Sequence, residues 1–277
     1  MHKLAHALSG LVLVSALMAA EKPSTADAAA VIEKSRQKSL AYARSLPDFV
    51  CTEIVSRYQL GSVPGRRVAA GIGATIVDPI PGWSPLDKLT VSLSYFQGHE
   101  AHELKLLNGE PTDRGVHSGD LGVTSTGEFG GILRNIFDPV SQTSFHWKSW
   151  KDADSRTVAV YVYEVERAHS TYFVETGQRD KMRRVVVGFH GTLEIDRDTG
   201  EVVHLDHVAD HVPSEPDIKA VTAVDYDVIE VAGNRYLLPV KSETRLDRRS
   251  GAWKNEAEFR DYRKFEVGSR MDFGGDK

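Results

Sequence analysis

From Val50 to Phe265 apolar and polar residues alternate mostly with a period of two, the signature of half-buried strands, and the helical period appears in only two segments. Residues 29–45 form the first: Val31, Ile32, Leu40 and Ala41 are interspersed with charged residues, and Pro47 ends the element by disfavouring helix at the residue before it. The second follows Ser125-Thr126-Gly127-Glu128, which matches a capping box, and places Phe129, Ile132, Leu133, Ile136 and Phe137 at helical spacing until Asp138-Pro139 stops it. Its stripe is strongly apolar, which predicts a short helix plugged against a sheet.

The strands come as hairpins. Ile54, Tyr58 and Leu60 lie on the face opposite Glu53, Arg57 and Gln59. The Gly- and Pro-rich stretch Gly61–Pro85 predicts a long loop, with room for a short strand at Arg67–Ala70 or Ala74–Val77. Lys88–Gln97 carries Leu89, Val91, Leu93 and Tyr95 on one face and Thr90, Ser92 and Ser94 on the other. Gly98-His99 turns it into His102–Leu107, and Asn108-Gly109 tolerates the positive φ of a tight hairpin. Thr157–Val165 is apolar on both faces, which predicts a central strand covered on each side. Val185–Ile195 pairs with Glu201–Ala209 across Asp198-Thr199-Gly200. Ile218–Val231 pairs with Tyr236–Leu246 across Gly233-Asn234, with a phase slip near Val228-Ile229 that a β-bulge would make. Trp253–Phe265 completes the series, and no fixed-period repeat is present.

The predicted fold is therefore mainly β: an antiparallel curled sheet or half-barrel with two or so helices packed on it. Open, strongly twisted sheets rarely exceed about 10 strands without curling or being covered.

Composition narrows the setting. Of 277 residues, 41% are hydrophobic, enough for a sizeable core, and the formal net charge of -5 gives no basic face for nucleic acid. Lys3 followed by the apolar run Ala7–Ala20 and a small-residue tail reads as a signal peptide over residues 1–28, too short for a membrane span. Ala26-Asp27-Ala28 fits the cleavage rule best, with a cut near Ala20 the alternative. A single mainly-β domain over residues 29–277, periplasmic or secreted and without a transmembrane segment, is the expectation. The one cysteine, Cys51, has no partner for an internal disulfide and sits beside Phe49 and Val50 as a small buried residue.

Chemistry is sparse. His204, His207 and His211 are the tightest histidine group, but on a strand period two sends His204 and His207 to opposite faces. His190 could approach His204 across the hairpin. Neither a metal nor any other cofactor is expected. There is no G-x-S-x-G elbow and no phosphate-binding glycine loop, and the carboxylate pairs Asp225/Asp227 and Glu256/Glu258 read as solvent-facing.

The run Gly191-Thr192-Leu193-Glu194-Ile195-Asp196-Arg197-Asp198-Thr199-Gly200-Glu201-Val202 is followed by Val224-Asp225-Tyr226, Leu237-Leu238-Pro239-Val240 and Phe259-Arg260-Asp261-Tyr262-Arg263-Lys264-Phe265. This order resembles the C-terminal half of the LolA/LolB-like outer-membrane lipoprotein-sorting carriers, and of related uncharacterised exported bacterial proteins. The resemblance implies an incomplete antiparallel barrel closed by helices around an apolar site for acyl chains. No functional residue of the carriers maps onto this chain.

Three functions follow. The first is a non-enzymatic envelope protein that binds lipid, a lipoprotein acyl chain or another apolar ligand, with Leu89, Val91, Leu93, Tyr161, Tyr163, Phe189 and Tyr226 as the ligand-binding residues. The second is an interaction or envelope-sensing module that meets a protein partner on the same scaffold. The third is a hydrolase whose site the sequence does not display.

Overall fold

The computed structural model describes residues 23–63, 68–69, 74–75, 80–112, 127–153, 156–176, 183–213, 215–249 and 251–265. The first described element is helix α1 (Thr25–Ser45), which starts four residues earlier than its periodicity predicts, because Ser24 caps it by accepting from the Asp27 amide. The face that α1 buries runs through Ala28, Val31, Ile32, Ser35, Ser39 and Tyr42. Two serines in that stripe explain why its amphipathic signal is weak: small polar side chains lower its hydrophobic contrast.

Eleven strands form one antiparallel sheet: β1 (Phe49–Val63), β4 (Ile80–Phe96), β5 (His99–Leu107), β6 (Glu110–Pro111), β7 (Ser144–Ala153), β8 (Arg156–Val165), β11 (Phe189–Asp196), β12 (Val202–Ala209), β13 (Lys219–Val231), β14 (Asn234–Arg248) and β15 (Gly251–Lys264). Their order is β6-β5-β4-β1-β15-β14-β13-β12-β11-β8-β7, a curled sheet that stays open between β6 and β7. The pattern is a meander except at one seam, where the first strand pairs with the last, Phe49 opposite Lys264 through Gln59 opposite Trp253. Two short pairs stand apart, β2 (Val68–Ala69) with β3 (Ala74–Thr75) and β9 (Phe173–Thr176) with β10 (Arg183–Val186).

Several expectations need adjustment. Much of the stretch expected as loop is strand: β1 runs on to Val63 and β4 begins at Ile80, with a register shift beside Pro85 that accommodates the proline's missing donor. The segment expected as one strand from Val185 divides at Val187-Gly188 into β10 and β11. The bulge in β13 falls at Asp225/Tyr226 rather than at Val228-Ile229, and the β13–β14 turn at Ala232-Gly233 rather than Gly233-Asn234. Strand β8 is second from an edge, and Val162 on its outer face is 37% exposed, so the strand is not covered on both sides there. The expected turns at Asn108-Gly109 and Gly200 do carry positive φ.

Helix α2 (Gly131–Phe137) buries Ile132, Leu133, Ile136 and Phe137 against the sheet. Its cap is Gly130, with φ 99° and no side-chain hydrogen bond; Ser125 and Thr126 of the expected capping box lie outside the described residues. Arg36 of α1 donates to the Phe137 carbonyl at 2.7 Å and ties the helices together. No helix among the described residues is long and apolar enough to cross a membrane.

Candidate functional site

The helix-bearing face of the sheet has two halves. Under α1 and α2 lies a cluster built on Tyr161, Tyr163, Phe189, Leu193, Ile195, Leu205 and Tyr226. The other half, from β5 to the end of β13, gathers Phe49, Cys51, Leu89, Val91, Leu93, Tyr95 and Phe259. Among the described residues, the side chains that reach this second cluster from outside the sheet are Phe129 and Leu46. All seven residues picked out by sequence as ligand-binding face this side and are at most 4% exposed. They fall into both groups, Leu89, Val91 and Leu93 in the second and the four aromatics in the first, with Leu46 touching each.

The second half also holds chemistry that the alternation did not single out. In β1 the buried face is that of Phe49, Cys51, Glu53 and Val55, not that of Ile54 and Tyr58. The β1–β4 register sets Glu53 opposite Val91, and the β4–β5 register sets Glu100 opposite Tyr95 and His102 opposite Leu93. Two carboxyls and an imidazole thus point into an apolar face. His102 Nε2 stands 3.7 Å from Glu53 Oε2. Glu128, just before α2, is buried beside them, and the Gly127 amide donates to Glu100. The Tyr226 hydroxyl donates to the Glu128 carbonyl at 2.9 Å and fixes this corner over the sheet.

Burial governs the electrostatics. It pushes Glu53 up to about 8, with the Glu128 charge adding to it. Glu100 is also pushed up to about 8, by burial and then by the Glu128 and Glu53 carboxylates. Burial lowers His102, and raises the Cys51 thiol far above its ordinary range, so neither is charged near neutral pH. The phase of β5 held a sign of this: Glu100 and His102 are in register with Leu104, which packs on the second cluster.

The histidines of β12 separate as their spacing predicts. His204 is on the outer face, where Asp206 at 3.4 Å and Asp225 at 2.6 Å hold its pKa up to about 10. His207 faces inward among Tyr163, Tyr172 and Phe189, and burial pushes it down to about 4. His190 lies opposite Val208, not His204, and bonds Asp210 at 2.7 Å. Among the described residues no group of three His, Cys, Asp or Glu side chains is placed to hold a metal ion. An open groove of about 970 Å³ runs between the start of α1 and β7, but the cations beside it are engaged: Lys34 with the Asp198 carbonyl, Lys151 with Glu194 and Arg197 over the Trp150 ring.

No family model matches the chain, and no curated protein does. Two solved structures are similar over most of its length. One is a DUF1329 family protein from Desulfovibrio piger, 8% identical, covering 87% of this chain and 96% of its own, with a TM-score of 0.36. The other, from Vibrio parahaemolyticus, is named for an outer membrane lipoprotein-sorting domain; it is 11% identical, covers 88% of this chain and 95% of its own, and has a TM-score of 0.40. The second name belongs to the group that the sequence resembles. At these scores the function of this chain rests on its own geometry.

Proposed function

We propose that this protein is a non-enzymatic carrier of the bacterial envelope that binds an apolar ligand, such as a lipid or a lipoprotein acyl chain, on the helix-bearing face of its sheet. The observation that carries the reading is the uneven roof. Both helices lie over the Tyr161–Tyr226 half, whereas the apolar side chains that the described segments outside the sheet bring to the Leu89–Leu93 half are Phe129 and Leu46. Burying apolar surface is worth about 25 cal/mol per Å², so an apolar ligand that takes the place of a thin roof keeps most of that burial. Leu93 is buried, so a ligand would reach it only by displacing the side chains that lie over it. Export to the periplasm or beyond, by an N-terminal leader, would put the carrier where such ligands travel.

The test is titration of folded protein with a neutral hydrophobic dye, alongside native mass spectrometry for co-purified lipid. Stoichiometric dye binding that Leu93→Arg abolishes while the melt stays cooperative supports the carrier. Absence of both dye binding and bound lipid rejects it.

The interaction module has one specific observation in its favour. Phe173 and Val186 sit opposite each other on the β9–β10 hairpin, and both are exposed. A protein partner that docks there would lose affinity on Phe173→Ser without any change in dye binding.

A further inference from the structure

The open groove between the start of α1 and β7 sets charges of both signs around an apolar floor. Its volume, about 970 Å³, is that of a small-molecule site. Helix α1 turns Asp27, Ala30, Val31 and Lys34 toward it, one stripe over two turns. On the sheet side the floor is the Trp150 ring, which packs on the first cluster as Val31 does.

Two of the cations here are held in place by neutral partners, so their charges stay unspent. Arg197 sits on a fixed turn. The buried Asp196 carboxylate before it accepts from the Asp198 and Thr199 amides at 2.9 and 2.8 Å, and the Arg197 amide donates to the Thr157 carbonyl at 3.1 Å. The guanidinium lies over the Trp150 ring, 5.1 Å from its centre, and its side chain makes no hydrogen bond or ion pair among the described residues. Stacked in this way, it keeps its fork of donors for an oxyanion. Lys34 donates to the Asp198 carbonyl, beside Arg197, and its stem lies against Gly200, where a Cβ would come within 2.7 Å of Lys34 Cγ. The third cation, Lys151, is paired with Glu194.

The groove also carries two carboxylates. Asp27 accepts from the Ser24 hydroxyl at 2.7 Å and Asp152 from the Thr157 hydroxyl at 3.2 Å, and neither has an ion-pair partner among the described residues. A plain anion drawn to Arg197 and Lys34 would meet these carboxylates, and a plain cation drawn to the carboxylates would meet Arg197 and Lys34. A ligand with both charges suits both sets. Along the α1 axis Asp27 and Lys34 are about 10 Å apart, room for two charge-assisted hydrogen bonds and a short zwitterion between them.

We propose that this groove binds a phosphate ester with an ammonium two carbons away, the chemistry of phosphoethanolamine, either free or as a lipid headgroup. The phosphate lies on Arg197 and Lys34, the ammonium on Asp27 and Asp152, and the carbons between them over Trp150 and Val31. The site is separate from the Leu89–Leu93 half and does not depend on the carrier reading.

The experiment is calorimetric titration of the folded protein with phosphoethanolamine, glycerol phosphate, ethanolamine and inorganic phosphate, at neutral pH and low salt, where screening is least. Phosphoethanolamine should bind about tenfold or more tighter than any of the others, the scale of one charge-assisted hydrogen bond. Arg197→Gln should weaken phosphoethanolamine and glycerol phosphate alike by about tenfold or more. Asp27→Asn with Asp152→Asn should remove the preference for phosphoethanolamine over glycerol phosphate and leave glycerol phosphate no weaker. Lys105→Gln, which removes an exposed cation on β5, should change nothing and controls for general attraction. Dihexanoyl phosphatidylethanolamine and its phosphatidylglycerol counterpart, each below its micelle concentration, separate the sources. A lipid that keeps the ammonium preference marks a headgroup site, and binding of the free ester alone marks a soluble metabolite. The zwitterion is overturned if glycerol phosphate or ethanolamine binds as tightly as phosphoethanolamine, or if folded Arg197→Gln keeps full affinity. No binding by any of the probes overturns the site itself. Dye binding should be the same in Arg197→Gln as in the unsubstituted protein, so the carrier reading stands or falls on its own test.

Discussion

Tyr163 and Asp206 lie on strands that are not neighbours, yet the tyrosine hydroxyl donates to the aspartate main-chain carbonyl at 2.8 Å. Strand β11 runs between them, and Gly191 is the residue it places there. A Cβ at Gly191 would collide with the Asp206 carbonyl and stand 2.9 Å from the tyrosine oxygen. The same hydroxyl meets His207 Nδ1 at 3.1 Å, so with its proton given to Asp206 it accepts from the imidazole. Gly191→Ala should therefore cost about 2 to 4 kcal/mol, from overpacking and from a displaced buried hydroxyl. Urea unfolding measures it. Tyr163→Phe should cost less in the Gly191→Ala background than in the unsubstituted protein, since the hydroxyl's bond to Asp206 is already displaced there; strictly additive losses would refute the account.

Stability should depend on pH with opposite signs from two parts of the core. Glu53 and Glu100 are pushed from 4.5 up to about 8 in the folded protein, so folding favours their protonated forms. Their contribution is complete below about 4.5 and is lost as pH rises through 8, at up to about 1.4 kcal/mol per pH unit for each. His207 is pushed from 6.5 down to about 4, so its contribution is complete above 6.5 and is lost as pH falls through 4. Between pH 6.5 and 8 the carboxyls act alone of the three, and stability should fall. Glu53→Gln with Glu100→Gln should flatten that fall. Denaturant midpoints at pH 6.5, 7.5 and 8.5 check it, and an equally steep fall in the double variant would contradict the assignment.

Leu133 is 1% exposed, between α2 and the sheet. Leu133→Ala should cost about 2–5 kcal/mol, as large-to-small core changes do. A cost below about 0.5 kcal/mol by the same unfolding measurement would mean that α2 does not depend on this contact.

Ala232 occupies the first position of the β13–β14 turn with φ 51°, a left-handed conformation that its Cβ disfavours. Ala232→Asn should stabilise by about 0.5 to 1 kcal/mol, because asparagine suits this turn position. Thermal melts resolve a shift of that size, and a lower melting temperature would count against the turn geometry.

Leader removal should occur after Ala20 rather than after Ala28. Ser24 caps α1, and the Ala28 carbonyl accepts from the Tyr161 hydroxyl at 3.1 Å. A cut after Ala28 would discard the cap, worth about 1 kcal/mol, and the first helical turn with it. N-terminal sequencing of exported protein should read Glu21 first; material that begins at Ala29 would overturn this.

Much of the architecture is legible in the sequence because its causes are local. Alternation along Leu89, Val91, Leu93 and Tyr95 marks a strand with two unlike faces, and Asn108-Gly109 supplies a turn whichever strands surround it. The helical spacing of Ile132, Leu133, Ile136 and Phe137 likewise has one outcome, a helix with a buried stripe. What period two cannot state is which face is the inner one when both carry apolar residues. In β1, Ile54 and Tyr58 compete with Phe49, Cys51 and Val55, and the pairing with β4 and β15 settled the contest, turning Glu53 inward. That pairing joins residues about 200 positions apart, a contact for which no local signal exists. The burial of the Glu53 carboxyl is a product of the same long-range register. Alone it reads as ordinary surface, and only the closure of β1 against β15 puts it in an apolar setting where its charge is costly.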